Sequence, residues 1–269
     1  MLSSDSRRVV MPPILVFDIE TVPDTDGLRT LYRTGDSATP QQLAEIAFLQ
    51  RRQTTGSDFL QLHLQRVVAI SCVLRERDQF RVWSLGDIAD SEAELIQRFF
   101  DAMDKYAPQL VSWNGGGFDL PVLHYRGLIN HVAAPRCWDM GEDQREFRYN
   151  SYLSRYHRRH LDLMDVLAMY QPRAHAPLDD LARLCGFPGK PGMDGSQVWD
   201  AYQAGHITDI RNYCETDAVN IYLVYLRFQQ MRGALSASQY TEECALVRES
   251  LRQNDASHWR EYLGAWPHR

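Results

Sequence analysis

The sequence predicts an α/β fold in which a mixed five-stranded sheet carries helices on both faces. Two features of the chain point there. Strand-like segments come first in a row and then alternate with helical ones, the order of a sheet that begins as a hairpin and continues through crossovers. Residues 14–17, "ILVF", are an unbroken apolar run, as a central strand covered on both sides requires. With 269 residues, 44% of them hydrophobic and 24% charged, the chain suits a single domain over 1–269 with a core at about 13–230.

Residues 13–18 read as the first strand. "RVVAISCVLRE" (66–76) and "QFRVWSL" (79–85) read as a hairpin that follows it. In "SEAELIQRFFDAMDKYAP", Ser91 and Glu94 form a capping box and Pro108 closes the helix. That helix crosses over to "QLVSWN" (109–114), the fourth strand. "HLDLMDVLAMY" (160–170) begins as a fifth strand and passes into a helix. "LDDLARLCG" is a short helix ended by Gly186, and "TDIRNYCETDAVNIYLVYLRFQQMRG" (208–233) is a long one. Residues 24–65, with a helix from Pro40 to about Arg52, and residues 135–159 stand outside this frame and read as insertions. Residues 234–269 read as a C-terminal extension carrying one amphipathic helix.

No apolar stretch approaches the roughly 20 residues of a membrane span, and "MLSSDSRRVV" lacks the apolar centre of a secretory signal, so a cytoplasmic protein without membrane contact is expected. Cys72, Cys137, Cys185, Cys214 and Cys244 show no CxxC spacing, which indicates neither a zinc site nor a disulfide framework. A net charge of −6 argues against coating nucleic acid by bulk electrostatics, while leaving room for a local basic groove.

Asp18 and Glu20 lie two residues apart, so they share one face of the first strand, just past "ILVF". At the carboxyl end of a central strand they overlook the crevice where α/β sheets bind ligands, although the same acids also suit a turn before Pro23. Asp119 follows the fourth strand in "SWNGGGFDLP", where it serves equally as helix-start chemistry. The three glycines before it suit a tight turn as well as a close-approaching ligand. Asp217 falls on the apolar stripe of the last helix with Ile210, Cys214, Ile221, Val224 and Phe228, and a carboxylate there is costly unless it is paired or binds metal. Tyr213 stands one turn earlier on the same face. Four acids therefore meet with no cation in view to offset them, and oxygen-only donors favour Mg²⁺ or Mn²⁺ over zinc.

In this order the residues resemble the DEDD superfamily of 3′–5′ exonucleases, which has the ribonuclease H-like fold. "FDIET" is similar to its first motif, "NGGGFDLP" to its second and "YCETD" to its third. A tyrosine four residues before the last aspartate marks the subclass found in proofreading domains of family-B DNA polymerases. "LPVLHYRG" and "LDDLARLCGFPGKPGMDGSQVWDAY" resemble stand-alone bacterial predicted exonucleases related to them. The resemblance implies two divalent cations: Asp18 bridges them, Glu20 and Asp217 complete the tighter site, and Asp119 holds the second. It implies further that Tyr213 orients the attacking water and that Asn114 and Phe118 place the terminal nucleotide.

Beyond the motifs, "REFRYNSYLSRYHRRH" interleaves arginines with tyrosines, a pattern that suits single strands. Arg155, Arg158 and Arg159 are candidate phosphate contacts; the alternative is a solvated insertion packed on the domain. Lys190, in the Gly/Pro loop "GFPGKPGMDG", is either a phosphate contact or part of an exposed turn. His124, His160 and His175 lack metal-ligand spacing and read as structural. The expected function is a two-metal 3′–5′ exonuclease releasing nucleoside monophosphates from single-stranded DNA or RNA 3′ ends, with a polymerase or repair partner left open. The alternatives are a non-catalytic nucleic-acid-binding module of this fold and a phosphodiesterase acting on very short oligonucleotides.

Overall fold

β1 spans Ile14–Pro23 and so runs on past the expected 13–18, with both acids inside the strand and not in a turn before Pro23. Its pairing explains the length. On one side it pairs antiparallel with β2 (Gln65–Glu76) from Ile14 opposite Arg75 to Pro23 opposite Gln65, interrupted by an irregularity between Glu20 and Thr21. On the other side its parallel pairing with β4 (Gln109–Ser112) stops at Val16 opposite Val111. Beyond Val16 the sheet is open on that side, and the opening is the crevice.

The computed structural model describes residues 13–33, 38–190 and 192–267. The opening "MLSSDSRRVV" and Pro191 of the Gly/Pro loop lie outside them. With β3 (Gln79–Ser84) and β5 (His160–Asp162), the sheet order is β3-β2-β1-β4-β5, antiparallel from β3 to β1 and parallel from β1 to β5. This is the mixed, ribonuclease H-like sheet that was expected.

Between β1 and β2, α1 (Thr25–Tyr32) and α2 (Pro40–Thr55) form a small unit around Leu28, Ala47 and Leu60, with Thr39 and Gln42 as the capping box of α2. A buried cluster anchors it. Asp24 caps α1 through Gly27 N–H and pairs with Arg126, whose guanidinium also holds Glu92. α3 (Glu92–Tyr106) has the predicted Ser91/Glu94 capping box. α4 (Asp119–Ile129) follows β4, α5 (Pro135–Trp138) opens the second insertion, and α6 (Leu163–Leu167) continues from β5. α7 (Leu178–Leu184) and α8 (Val198–Gln203) lead to the long α9 (Ile207–Met231).

Side chains alternate along β1. Leu15, Phe17 and Ile19 pack with Phe99 and Leu123 of α3 and α4, whereas Val16 packs with Ala218 and Tyr222 of α9. Asp18 and Glu20 share the parity of Val16, so they face α9. The C-terminal extension holds two helices, α10 (Ala237–Arg252) and α11 (Ser257–Ala265), where one was expected. Both belong to the α9 core: Trp259 and Tyr262 are fully buried, and the Tyr262 hydroxyl donates to Asn220 Oδ1 at 2.8 Å. Among the described residues no helix is long and apolar enough to cross a membrane.

Candidate active site

Three elements deliver the acids. Asp18 and Glu20 come from the one-sided stretch of β1, Asp119 from the first position of α4, and Asp217 from mid-α9. Glu20, Asp119 and Asp217 are buried, and Asp18 is half-buried. Asp119 also reaches beyond its own helix. Its Oδ1 accepts the Ile19 backbone N–H at 3.2 Å, which locks α4 against β1 between the two strand acids.

The loop before Asp119 is built to make that contact. Asn114 takes the left-handed conformation (φ 64°), and the Phe118 and Leu120 N–H groups bond back to the Asn114 and Gly115 carbonyls. A Cβ on Gly115 would meet Ser112 Oγ at 2.2 Å, so that glycine is a packing necessity. Asp162, at the end of β5, accepts the Asn114 and Gly116 N–H groups at 3.0 and 2.9 Å. The glycines thus serve a tight turn hung on a buried aspartate. Asp162 lies within "HLDLMDVL" but is not among the expected site residues; its place at the end of the fifth strand was the signal for it.

Burial raises the pKa of all four acids, and their mutual repulsion adds to it for Asp18, Glu20 and Asp119. Asp119 is pushed up to about 7. The expectation that no cation offsets them is overturned: Lys190 Nζ lies 2.5 Å from Asp217 Oδ2 and donates to the Tyr213 hydroxyl at 2.6 Å. Burial opposes its charge, but Asp217, joined by Asp18 and Glu20, outweighs burial and raises the Lys190 pKa. The Gly/Pro loop brings Lys190 here because its backbone N–H bonds to Asp179 of α7 and the Gly189 carbonyl accepts Asn220 of α9. Lys190 is therefore part of the acid cluster and not of an exposed turn. Burial and the neighbouring acids, Asp217 first, raise the Tyr213 pKa, so its phenol stays protonated.

Two further groups complete the floor. Oδ1 of Asp217 is buried and has no hydrogen-bond partner. Cys214, absent from the expected site although "YCETD" contains it, places its Sγ 3.7 Å from Asp18 Oδ2. The cleft above has a volume of about 620 Å³ and is lined by Asp18, Asp217, Lys190, Asn114, Trp113 and His175. His175 thus lines the cleft, whereas His160 is structural as expected, buried and bonded to Ser112. Phe118 is half-buried and packs, with its ring tilted, against the exposed Phe59 of the first insertion at 5.6 Å.

The three candidate arginines separate. Arg155 is half exposed, pairs with Asp165 at 2.7 Å and lies over the Tyr170 ring. Arg158 is exposed. Arg159 is overturned as a phosphate contact: it stacks on Phe147, donates to the Ala107 carbonyl and pairs with Glu146, clamping the second insertion to the domain. An RxxRR spacing cannot tell a clamp from a contact, because burial is set by Phe147 and Tyr152 beneath it.

The chain matches, over residues 57–266, the model of a family described as "Predicted 3′–5′ exonuclease related to the exonuclease domain of PolB". The chain belongs to this exonuclease family. The matched span contains "NGGGFDLP" and "YCETD"; "FDIET" precedes it. DNA polymerase 1 of Sulfurisphaera ohwakuensis is 34% identical over 67 residues, which are 24% of this chain and 8% of the polymerase. Among solved structures, the family B DNA polymerase of Pyrobaculum calidifontis aligns over 90% of this chain and 29% of its own, at 16% identity and a TM-score of 0.48. An exonuclease I structure aligns over 90% and 46%, at 12% identity and a TM-score of 0.37. The chain thus spans less than a tenth of the curated polymerase and under half of either solved chain.

Proposed function

We propose that this exonuclease uses two divalent cations, Mg²⁺ or Mn²⁺, to remove nucleoside monophosphates from single-stranded 3′ ends of DNA or RNA. The observation that carries this is the meeting of four carboxylates close enough to repel one another, Asp18 and Asp217 of them lining the cleft, with Oδ1 of Asp217 buried and unpartnered. These are the hard oxygen donors that such ions take, and an ion would satisfy the orphaned oxygen. Asp18, Glu20, Asp119 and Asp217 would hold the pair. When bound, the ions supply Lewis acidity to the phosphate and lower the pKa of water.

The chain's own residues do the rest. Tyr213, protonated at neutral pH, orients water by its hydroxyl and removes no proton. Lys190 fixes that hydroxyl and offers the cleft an ammonium for a phosphate oxygen. Asn114, which lines the cleft, and Phe118, next to Asp119 in the chain, would hold a terminal nucleotide, and the exposed Arg155 would meet phosphates further along the strand. The test is a 5′-labelled single strand incubated with Mg²⁺ or Mn²⁺. Laddering from the 3′ end is expected, and Asp18→Asn and Asp217→Ala should each abolish it while the circular dichroism stays unchanged. Retention of the strand without cleavage, or near-normal turnover in either variant, would reject the assignment.

A further inference from the structure

We propose that Cys214, Asp18 and Glu20 form a mixed sulfur–oxygen site for one thiophilic divalent cation of the Zn²⁺ and Cd²⁺ class. Donor atoms of these three residues lie within 4.8 Å of one another. Cys214 is fully buried, one residue after Tyr213 and three before Asp217, and α9 turns its sulfur toward the even-numbered face of β1. Its Sγ stands 3.7 Å from Asp18 Oδ2. Zinc–sulfur and zinc–oxygen bonds of about 2.3 and 2.1 Å at a tetrahedral angle put the two donors about 3.6 Å apart. The sulfur and oxygen therefore already have the spacing of two ligands on one ion.

A second feature, apart from the sulfur–oxygen spacing, points to a cation in this cleft. Asp217, which lines the same cleft as Asp18, is buried with Oδ1 unpartnered. The thiol donates to the Asp18 carbonyl at 3.3 Å; on capture of an ion a metal–sulfur bond forms and the thiol proton leaves to solvent. Sulfur gives little to a hard ion and much to a soft one, so this cysteine sets the selectivity. An ion held here occupies Asp18 and Glu20 and inhibits the exonuclease; that consequence rests on the function proposed above, whereas the site itself does not.

The test is a Cd²⁺ titration of the full chain, read by the ultraviolet thiolate-to-metal charge-transfer band. One band saturating at one ion per chain is expected, erased by Zn²⁺ and retained in about a hundredfold excess of Mg²⁺. Cys214→Ser should lose the band. Asp18→Asn, which keeps the sulfur, should bind Cd²⁺ about 10–100-fold more weakly and serves as the check if the cysteine variant does not fold. No band, a band that survives Cys214→Ser, erasure by Mg²⁺, or unchanged Cd²⁺ affinity in Asp18→Asn would each overturn the site. Laddering with Mg²⁺ in the same preparation separates the two readings: a ladder without the band removes the sulfur site alone, and the band without a ladder removes the proposed activity alone.

Discussion

Asp119 reports the electrostatics of the cleft at the level of single residues. A carboxyl whose pKa is raised in the folded chain contributes its full stability below its unfolded value of about 3.9 and loses it as pH rises through the folded value, here about 7. In chelator, unfolding free energy should therefore fall from pH 5 to pH 8, and Asp119→Asn should flatten that fall; equal slopes for the two proteins would contradict the burial of a repelling charge. Lys190 works in the opposite direction. Lys190→Met leaves Asp217 without its ammonium, so the metal-free protein should lose about 1.5–3 kcal/mol, the range for a hydrogen bond to a charged group, and gain more than wild type when Mn²⁺ is added. Denaturant unfolding with and without Mn²⁺ measures both. Tyr213→Phe keeps the ring and loses one hydroxyl, so hydrolysis should slow by about 10–100-fold without being abolished.

Elements place these residues through two periodicities. The period of two along β1 sends Asp18 and Glu20 toward α9, and the α9 stripe returns Tyr213, Cys214 and Asp217 to the same side. The first insertion is joined to this frame by Arg126, which is 4% exposed and bonded to Asp24 and Glu92. Arg126→Met strands two buried carboxylates and should cost about 3–5 kcal/mol. Limited proteolysis should then cut within 38–62 before the rest of the chain; a variant as resistant as wild type would mean that the α1–α2 unit is held by its own core alone.

At the scale of the whole molecule, the sheet, α9 and the C-terminal pair share one hydrophobic core. α10 and α11 supply Val247, Leu251, Trp259 and Tyr262 to the core, and Glu243 accepts from Arg75 of β2 at 2.8 and 2.6 Å. Ending the chain at Gly233 should expose that surface and abolish a cooperative unfolding transition, as followed by tryptophan and tyrosine fluorescence. For long single strands, changing Arg155 and Arg158 to Ala should weaken binding and flatten its salt dependence, because these two guanidinium groups are open to solvent. Arg159→Ala should leave the salt slope alone and lower stability instead.

Some of this was legible in the sequence because it is local. "ILVF", the Ser91/Glu94 capping box, the Pro40 helix start and the stripe through Asp217 are properties of neighbours along the chain, and each set its element wherever tertiary contacts agreed. The four acids and Tyr213 were legible too, since their spacing within "FDIET", "FDLP" and "YCETD" survives without a structure. Long-range partners were not. The far end of β1 depends on β2 continuing where β4 stops; the helix pair after residue 236 is fixed by α9 and β2. Lys190 reaches Asp217 only because Asp179 and Asn220 hold the Gly/Pro loop, while Arg159 became a clamp when Phe147 and Tyr152 took the space beneath it. The sequence by itself determined which ionisable groups share a face of a strand or helix, because residue type and period are written in it; tertiary structure decided which of them meet and which are charged, paired or exposed, because burial and distance are properties of neighbours that the chain order does not contain.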